Sequence, residues 1–459
     1  MDALGTDPNP LRVAVVGSGP SGFYAAEALL KGPVAARVDV IERLPAPYGL
    51  VRYGVAPDHP KLKEPILVYS ATARAPHFSL FGNVAAGVDV SVAELREHYH
   101  AVLFTCGAQT DRQLGIAGED LPGSHTATEF VAWYNGHPDY RDRRFDLEQD
   151  VAVVVGQGNV AADVCRILAK SVDSLKTTDI AAHALEALAA SRVREIHVIG
   201  RRGPAQAKFT NKELKELGEL PGCDALVQPQ DLELNPASRI EIEAKANYVA
   251  AKNVEILREF AAKRPTGKPR RLHFRFLQSP AALAGTGSVE QAVLARNRLE
   301  GEAFKQVAHE TAATETLACG LVFRSIGYSG VPIPGVPFDA RRGVFPTQDG
   351  RIVDTAGEPI PGLYAAGWIK RGPTGIIGTN RADAVSTVKA LLADLPQLGP
   401  DAKPGGEGLR RLLAARGVRI VSAADWFKID ALEVARGAPL GKPREKFTRV
   451  AEMLQCLNV

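Results

Sequence analysis

The sequence lacks closely spaced cysteine pairs. Its five cysteines are Cys106, Cys165, Cys223, Cys319 and Cys456, and no two of them form a Cys-x-x-Cys pair. This spacing argues against a zinc site and against a local redox-active disulfide. Widely scattered cysteines are typical of proteins that work in a reducing compartment.

Long apolar runs and a strong net charge are also missing. No apolar segment approaches the roughly 20 residues of a membrane span, and the stretch before the first predicted strand is too short for a signal or transit peptide. The formal net charge is only +3, with no basic tail and no nucleic-acid-reading motif. We therefore expect a cytoplasmic protein with no membrane span and no nucleic-acid partner.

What the chain does have is length and glycine. Its 459 residues are enough for two or three domains, and its 43 glycines indicate several tight turns or cofactor loops. The apolar run 11–16 predicts a buried parallel strand, and a predicted helix follows it. Between them lies a Gly-x-Gly-x-x-Gly motif, whose glycines are Gly17, Gly19 and Gly22.

The chemistry of this first motif is that of a dinucleotide site. The first glycine allows a tight turn, the second lets the backbone approach a pyrophosphate, and the third allows close helix–strand packing. The second predicted strand, 37–41, ends at Glu42, which lies 20 residues after Gly22. A carboxylate there accepts hydrogen bonds from ribose hydroxyls and repels a 2′-phosphate. The motif therefore predicts FAD or NAD rather than NADP; the alternative is an ordinary glycine turn.

A second motif follows the apolar run 151–155 and ends differently. Its residues are Gly156, Gln157, Gly158, Asn159, Val160 and Ala161. A helix is predicted over 159–169, and the next strand, 195–199, leads to Arg201 and Arg202 instead of an acid. Guanidinium groups suit a 2′-phosphate through charge and paired N–H donors, so this site is expected to prefer NADP. The alternative is that the two arginines are a solvated loop pair.

The spacing within the second unit is unusual. Arg201 lies 40 residues after Ala161, about twice the separation expected of a simple unit. The segment 177–191 is therefore predicted to be an inserted helix, with Thr178 or Asp179 as its N-cap.

The order of the remaining strand-like runs predicts an interrupted domain. These runs occupy 101–105, 320–328 and 362–368. We expect an α/β fold with two doubly wound, Rossmann-like dinucleotide-binding domains, the NADP domain being inserted into the FAD domain. The predicted boundaries are 1–110 for the first part of the FAD domain, 111–330 for the NADP domain, and 331–459 for the second part with a C-terminal tail.

A glycine-rich segment after Trp368 leads into a further predicted helix. The helix is expected to run from about residue 375 to 392. Its N-terminal N–H groups are suited to hydrogen-bond the flavin pyrimidine edge and stabilise negative charge on the reduced ring. The alternative is a plain loop-to-helix junction.

Several stretches together resemble one family over nearly the whole chain. They are 47–60 (PYGLVRYGVAPDHP), 156–161, 200–204 (GRRGP), 209–214 (FTNKEL), 367–375 (GWIKRGPTG) and the tail 409–446. The chain resembles adrenodoxin reductase and its bacterial relatives, the adrenodoxin-reductase-like ferredoxin–NADP reductases. Many related flavoproteins have an aspartate after the glycine at Gly367. Trp368 at that place favours this branch over the disulfide reductases and the glutamate synthase subunit.

The resemblance implies a set of site residues. It implies an FAD site lined by Ser21, Glu42, Leu50 and Ala86, with Trp368 and the backbone of Gly375, Ile376 and Ile377 at the isoalloxazine. It implies that NADPH is held by Gly156 to Val160, Arg201, Arg202 and Glu213, with Trp368 and Gly375 near the nicotinamide. His59 resembles the buried active-site histidine of the family, and His59, Glu213 and Trp368 are the candidate catalytic residues. Each has an alternative role. His59 could be a structural histidine in a proline-rich turn, Glu213 a cap or ion-pair partner on a surface helix, and Trp368 a core residue.

The activity implied is electron transfer from NADPH to an iron–sulfur protein of the ferredoxin type. A hydride passes to flavin N5, and because no cysteine pair offers a disulfide relay, single electrons are expected to leave to a one-electron acceptor. An NADPH-dependent flavin diaphorase or quinone reductase is the alternative, and a non-catalytic binding subunit is a third possibility.

A cluster of basic residues predicts the partner surface. It contains seven cations and one acid, Glu259; the cations are Arg258, Lys263, Arg264, Lys268, Arg270, Arg271 and Arg275. Because ferredoxins are generally acidic, such a surface would steer them electrostatically. The alternative is a solubilising loop.

Overall fold

The computed structural model describes residues 3–458. Its strands are β1 Leu11–Val16, β2 Ala36–Glu42, β3 Phe78–Gly82, β4 Ala101–Phe104, β5 Thr110–Asp111, β6 Ser124–Thr126, β7 Val151–Val155, β8 Glu195–Gly200, β9 Cys223–Val227, β10 Arg270–Phe276, β11 Gln278–Ala284, β12 Gln291–Glu300, β13 Val307–Ala318, β14 Leu321–Arg324, β15 Tyr328–Ser329, β16 Thr347–Gln348, β17 Arg351–Val353 and β18 Pro359–Ala365.

The α-helices alternate with these strands along most of the chain. They are α1 Pro20–Leu30, α2 Leu50–Tyr53, α3 Pro65–Ala73, α4 Val92–His98, α5 Ala127–Tyr134, α6 Asn159–Ala169, α7 Val172–Leu175, α8 Ala182–Ala189, α9 Asn211–Gly218, α10 Pro236–Glu243, α11 Tyr248–Ala262, α12 Trp368–Arg371, α13 Ile377–Ala393, α14 Gly405–Ala415, α15 Ala423–Gly437 and α16 Val450–Gln455. Over residues 3–458, none of the helices is both long enough and apolar enough to cross a membrane.

The chain divides into two compact units. The discontinuous unit comprises Met1–Thr110 and Gly327–Val459, and the inserted unit comprises Asp111–Ile326. Each is built on a parallel sheet, as the doubly wound fold class predicted from the sequence requires.

The discontinuous unit contains a seven-stranded sheet in the order β16-β17-β18-β4-β1-β2-β3. The strands from β18 to β3 are parallel, and only the β16 and β17 edge is antiparallel. Alternate residues of β1 pack into different hydrophobic clusters: Val13 and Val15 into one, Ala14 and Val16 into the other. Burial on both faces explains why β1 is a continuous apolar run rather than an alternating one.

The inserted unit contains a six-stranded parallel sheet in the order β6-β14-β7-β8-β10-β9. On one face, Ala152 and Val154 pack with the helices. On the other, Val153 and Val155 pack against Leu283 and Leu294 of the antiparallel sheet β11-β12-β13. This three-stranded cover was not predicted from the sequence.

Most predicted elements are found close to their predicted bounds, with one clear error. The helix predicted over 159–169 is α6, and the predicted strands 11–16 and 195–199 are β1 and β8. The inserted helix was predicted to begin near Thr178 or Asp179, but α8 begins at Ala182 after a turn. The cap prediction is wrong, because Ala181 occupies the N-cap and makes no side-chain hydrogen bond.

Candidate functional site

In the first glycine loop, two of the three glycines are required by the protein's own packing. Gly17 has φ +105°, and a Cβ there would lie 2.7 Å from the Thr105 carbonyl oxygen. A Cβ on Gly22 would lie 2.1 Å from the carbonyl oxygen of Gly17. Around Gly19, by contrast, a Cβ would meet no described atom within 4 Å. The middle glycine therefore faces open space beside a helix N-terminus, which fits close approach of a pyrophosphate.

Glu42 is fixed beside this loop at the end of β2. Its Oε2 accepts hydrogen bonds from the backbone N–H of Ser18 at 3.1 Å and from Ser18 Oγ at 2.6 Å. Its Oε1 accepts a bond from the N–H of Leu44 at 3.1 Å. A carboxylate has about four lone-pair sites. Glu42 therefore retains capacity for a ribose hydroxyl while its orientation is set by the loop.

Leu50 and Ala86 lie in loops close to the same edge of the sheet. Leu50 is half-buried and begins α2 directly after Gly49, whose φ is +49°. A Cβ on Gly49 would lie 3.0 Å from the Gly19 Cα, so this turn packs against the glycine loop. Ala86 is half-buried and follows the carboxyl end of β3. Because β1 to β3 are parallel, their carboxyl ends share one edge, where ligands bind in open α/β sheets.

The entry to α13 approaches the first glycine loop through Ser21. A Cβ on Gly367, which has φ +78°, would lie 2.2 Å from Ser21 Oγ. Ser21 Oγ donates to Asn380 Oδ1 at 3.3 Å. The N-terminal turns of α1 and α13 therefore meet, although 359 residues separate Ser21 from Asn380. Asn380 is a site-forming residue that the sequence interpretation missed.

Trp368 carries an unused hydrogen-bond donor. Its ring lies 5.3 Å from that of Tyr328, and its indole Nε1 is buried without a hydrogen-bond partner among residues 3–458. A buried indole N–H usually has a partner, so this donor fits a ligand. The backbone that presents Trp368 is fixed by Asp383, which accepts from the Gly367 N–H at 2.5 Å and from Lys370 Nζ at 2.8 Å.

The N-terminus of α13 is open. Gly375 has φ +84° and is exposed, and Ile376 is 70% exposed. The first N–H groups of a helix, here beginning at Ile377, have no partner within the helix. They form a donor set suited to an anionic or carbonyl-bearing ring edge.

The second glycine loop repeats the arrangement of the first. Gly156 has φ +133°, and a Cβ there would lie 2.1 Å from the Ser325 carbonyl oxygen, whereas a Cβ on Gly158 would meet nothing within 4 Å. Gln157 Nε2 donates to the Arg275 carbonyl at 3.1 Å, and Asn159 Oδ1 accepts from the N–H of Thr210 at 2.8 Å. The side chains of Gln157 and Asn159 therefore hold the loop in place. Its ligand-facing element is the backbone around Gly158, with the partly buried Val160 packed against the core.

Arg201 and Arg202 follow β8, and Arg202 borders a cavity of about 100 Å³. Lys208, Asn247 and Glu241 also line this cavity. Burial, followed by the neighbouring charge of Arg201, lowers the pKa of Arg202. The cavity thus combines two cations with one carboxylate, Glu241, whose oxygens already accept hydrogen bonds from Gln206, Gln306 and the Phe304 N–H. Lys208 is a second residue that the sequence interpretation missed.

His59 is less buried than predicted, and Glu213 lies in a buried ion pair. Glu213 is 7% exposed, and its Oε2 accepts from Arg166 Nη1 at 3.2 Å in a buried ion pair, so it does not lie on a solvated surface. His59 was predicted to be buried, but it is half-buried at the start of the short 3₁₀ helix Pro60–Lys63. The proline at its C-terminal side starts that turn and leaves the imidazole partly accessible.

The predicted basic cluster is largely neutralised or internally bonded. Arg271 pairs with Glu195, and Arg275 pairs with Glu315 at 2.5 Å. Lys268 Nζ donates to the Leu220 carbonyl at 2.8 Å, and Arg270 Nε donates to the Val193 carbonyl at 3.2 Å. Arg258, Lys263 and Arg264 are exposed, and Arg271 is also exposed but is paired with Glu195.

Both units are doubly wound, and in each a glycine loop that is open at its middle glycine joins a strand to a helix. This arrangement is that of oxidoreductases with two dinucleotide-binding domains. The comparisons with known proteins give the family. NADPH-ferredoxin reductase FprA of Mycobacterium tuberculosis (strain ATCC 25618 / H37Rv) is 46% identical over 462 residues, covering 97% of this chain and 99% of FprA. The mitochondrial NADPH:adrenodoxin oxidoreductase of Homo sapiens is 44% identical over 463 residues, covering 97% of this chain and 92% of that protein.

A solved structure gives the same result. Mycobacterium tuberculosis FprA in complex with NADPH superposes with a TM-score of 0.92 at 44% identity, covering 98% of this chain and 100% of that one. No protein-family model matches the sequence. The chain therefore belongs to the adrenodoxin reductase-like family of NADPH–ferredoxin reductases, which confirms the resemblance seen in its motifs.

Proposed function

We propose that this protein is an FAD-dependent NADPH–ferredoxin reductase, with FAD in the discontinuous unit and NADPH in the inserted unit. One observation carries the proposal. Both units present an open middle glycine, at Gly19 and Gly158, but one loop is accompanied by a carboxylate and the other by two guanidinium groups. Glu42 suits an unphosphorylated ribose, and Arg201 with Arg202 suits a 2′-phosphate.

The residues of the discontinuous unit orient the flavin. Glu42 binds the adenosine ribose, Gly17, Gly19 and Gly22 admit the pyrophosphate, and Ser21, Leu50 and Ala86 line the site. The Trp368 indole and the N–H groups at Gly375, Ile376 and Ile377 face the ring. FAD, when bound, supplies the chemistry that converts a two-electron hydride donor into a source of single electrons.

The inserted unit positions NADPH. The backbone from Gly156 to Val160 holds the pyrophosphate, and Arg201 and Arg202 hold the 2′-phosphate. Glu213, buried and paired with Arg166, is proposed to contribute to the nucleotide site. His59 is proposed to tune the flavin or move a proton. A His59→Gln variant that reduces flavin at the native rate at every pH would contradict that role.

Nucleotide preference tests the assignment of the inserted unit. Replacing Arg201 and Arg202 by alanine removes charge-assisted hydrogen bonds worth about 1.5–3 kcal/mol each, so NADPH preference over NADH should fall on the order of 10²- to 10⁴-fold. The measurement is the rate of anaerobic flavin bleaching against concentration of each nucleotide. Arg194→Ala, an exposed arginine before the other end of β8, is the matched control. Unchanged discrimination in the double variant would refute the role.

The partner is proposed to be an acidic ferredoxin-type iron–sulfur protein that docks on Arg258, Lys263 and Arg264. These are the exposed cations of the predicted cluster other than Arg271, which is paired with Glu195. Reversing all three charges should slow ferredoxin reduction at low salt and flatten its salt dependence, because steering by exposed charges is screened within about 10 Å at 0.1 M salt. Arg144→Glu, another exposed arginine of the same unit, is the control for a change of net charge. Native rates and native salt dependence in the triple variant would exclude this surface.

The diaphorase alternative is tested by comparing quinones and ferredoxin as electron acceptors after NADPH has reduced the flavin. A quinone reductase would turn over quinones far faster than any ferredoxin-coupled reaction, whereas a ferredoxin reductase is reoxidised rapidly by its ferredoxin after NADPH has bleached the flavin. Failure of NADPH to bleach the flavin would instead favour a non-catalytic subunit. We also propose a cytoplasmic location, because all five cysteines are free, as in reducing compartments; cell fractionation tests it.

A further inference from the structure

One side-chain cluster in the inserted unit has no part in the proposed reaction. It lies on the neighbouring parallel strands β8 and β10, where His197 is paired in register with His273, and Glu195 with Arg271. Because successive strand residues alternate between faces, Glu195 and His197 project from the same face of the sheet, next to His273. Candidate ligand atoms of Glu195, His197 and His273 all lie within 4.8 Å of one another.

The contacts within this cluster leave one imidazole unsatisfied. His273 Nε2 and Glu195 Oε2 are 2.6 Å apart, and the two imidazole rings stack with centroids 4.5 Å apart and planes 9° apart. His197 Nδ1 is buried and has no hydrogen-bond partner among the described residues. Such an orphaned nitrogen in a native structure calls for a physical explanation.

The cluster combines two kinds of metal ligand, the imidazole nitrogens of His197 and His273 and the carboxylate oxygens of Glu195. A neutral imidazole offers a nitrogen lone pair to a metal ion, and an ionised carboxylate offers oxygen lone pairs. Two imidazoles and a carboxylate are a three-ligand set found around Zn²⁺, with water in the fourth position.

Of the two neighbouring arginines, Arg275 is paired with Glu315 outside the cluster, whereas Arg271 shares Glu195 with the site but is 55% exposed and can turn toward solvent when a cation binds. Arg271 pairs with Glu195, leaving the other carboxylate oxygen toward His273, and Arg275 pairs with Glu315 at 2.5 Å. The side chains are also reachable from solvent, since that of His273 is 26% exposed and that of Glu195 is 19% exposed.

We propose that Glu195, His197 and His273 form a binding site for a divalent transition-metal ion, Zn²⁺ in the first instance, that cross-links β8 to β10. Bonds of about 2.0–2.1 Å require the ligand atoms to lie roughly 3–3.5 Å apart. Binding therefore needs ligand-atom movements on the order of 1 Å and also a tilt of the two stacked rings toward a shared point, because each nitrogen lone pair lies in the plane of its ring. Rotation about the χ angles of these partly exposed side chains provides both movements. The cluster lies at the start of β8, whereas Arg201 and Arg202 follow the end of that strand, so the ion takes no part in the proposed binding of the 2′-phosphate.

The test uses the intact flavin-loaded protein after dialysis against a chelator. Co²⁺, a visible probe of a Zn²⁺ site, is titrated while its d–d absorption is recorded, and Zn²⁺ is then added to displace it. We expect one equivalent of Co²⁺ to give a tetrahedral spectrum that Zn²⁺ abolishes, and Zn²⁺ to raise the melting temperature.

Variants locate the site. Glu195→Gln and His273→Asn should each weaken Co²⁺ binding at least tenfold and remove the Zn²⁺-dependent thermal shift, and both change partly exposed side chains. His309→Ala removes an exposed histidine near Glu300 in the same unit and should leave binding unchanged. Co²⁺ affinity that is unaltered in both cluster variants, or no binding to the native protein, would overturn the proposal. Flavin reduction by NADPH in the metal-free protein tests the proposed function separately.

Discussion

The buried ion pair between Arg52 and Glu433 gives a demanding prediction about the discontinuous unit. Arg52 is 3% exposed and Glu433 is 0% exposed, and two hydrogen bonds of 2.9 and 2.6 Å join them. The guanidinium also lies 5.1 Å from the Trp426 ring centroid. Burial alone would lower the pKa of Arg52, but the adjacent Glu433 carboxylate outweighs this and raises it above its ordinary value.

Glu433 also anchors the C-terminal segment. Its Oε1 accepts from the N–H of Phe447 at 2.9 Å, and Arg444 Nη1 lies 3.4 Å from its Oε2. The pair thus ties α15 and the chain after it to α2, the short helix that follows the turn packed on the first glycine loop. Removing the carboxylate charge therefore loosens both the tail and the flavin-binding turn.

Glu433→Gln should lower the free energy of unfolding of this unit by about 3–5 kcal/mol, the usual cost of leaving one member of a buried ion pair alone. That is a large part of the 5–15 kcal/mol that typically stabilises a domain. We also expect faster loss of bound flavin. The assay is urea unfolding followed by circular dichroism, with flavin release recorded in the same samples.

Two controls make the reasoning refutable. Glu407→Gln removes an exposed carboxylate, 82% accessible, from a helical pair in the same unit and should change stability by no more than about 0.5 kcal/mol. Replacing the buried pair together, as Arg52→Met with Glu433→Leu, should recover most of the loss, because no uncompensated charge remains. If Glu433→Gln cost no more than Glu407→Gln, the pair would not anchor the tail.

Two further predictions concern the glycine loops and acid stability. The variants Gly19→Ala and Gly158→Ala should fold with native melting temperatures, because a Cβ at either position meets no protein atom within 4 Å. Gly19→Ala should weaken flavin retention, and Gly158→Ala should weaken NADPH binding. Native affinities in calorimetric titrations would contradict the two sites. Asp394 has its pKa lowered first by hydrogen bonds from Arg351, so its stabilisation is present above its unfolded pKa and is lost as pH falls through the lower folded value. Asp394→Asn should therefore cost about 1–2 kcal/mol at pH 7 and much less near pH 3; a pH-independent difference in urea unfolding would refute this.

The local chemistry of both nucleotide loops was readable from the sequence. A buried parallel strand, a glycine turn and the residue after the next strand are close in sequence, so Gly17 to Glu42 and Gly156 to Arg202 could be identified from spacing and residue type. The helix start at Asn159 was also predictable, because it directly follows the glycine turn. The family likewise followed from short, specific motifs.

Other features depend on contacts between distant segments. The start of α8 was misplaced because its first turn has no capping side chain to mark it. The cover of β11 to β13 was missed because its strands pair antiparallel and only partly alternate in polarity.

The sequence by itself determined the two glycine motifs and the family, because each motif is made of residues close together in the chain. Only the tertiary structure decided which charges remain available. Strand pairing brought Arg271 and Glu195 together, and chain folding placed Glu433 on Arg52 and Asn380 on Ser21. Partners so far apart in sequence are fixed by sheet register and packing, which local residue patterns do not encode.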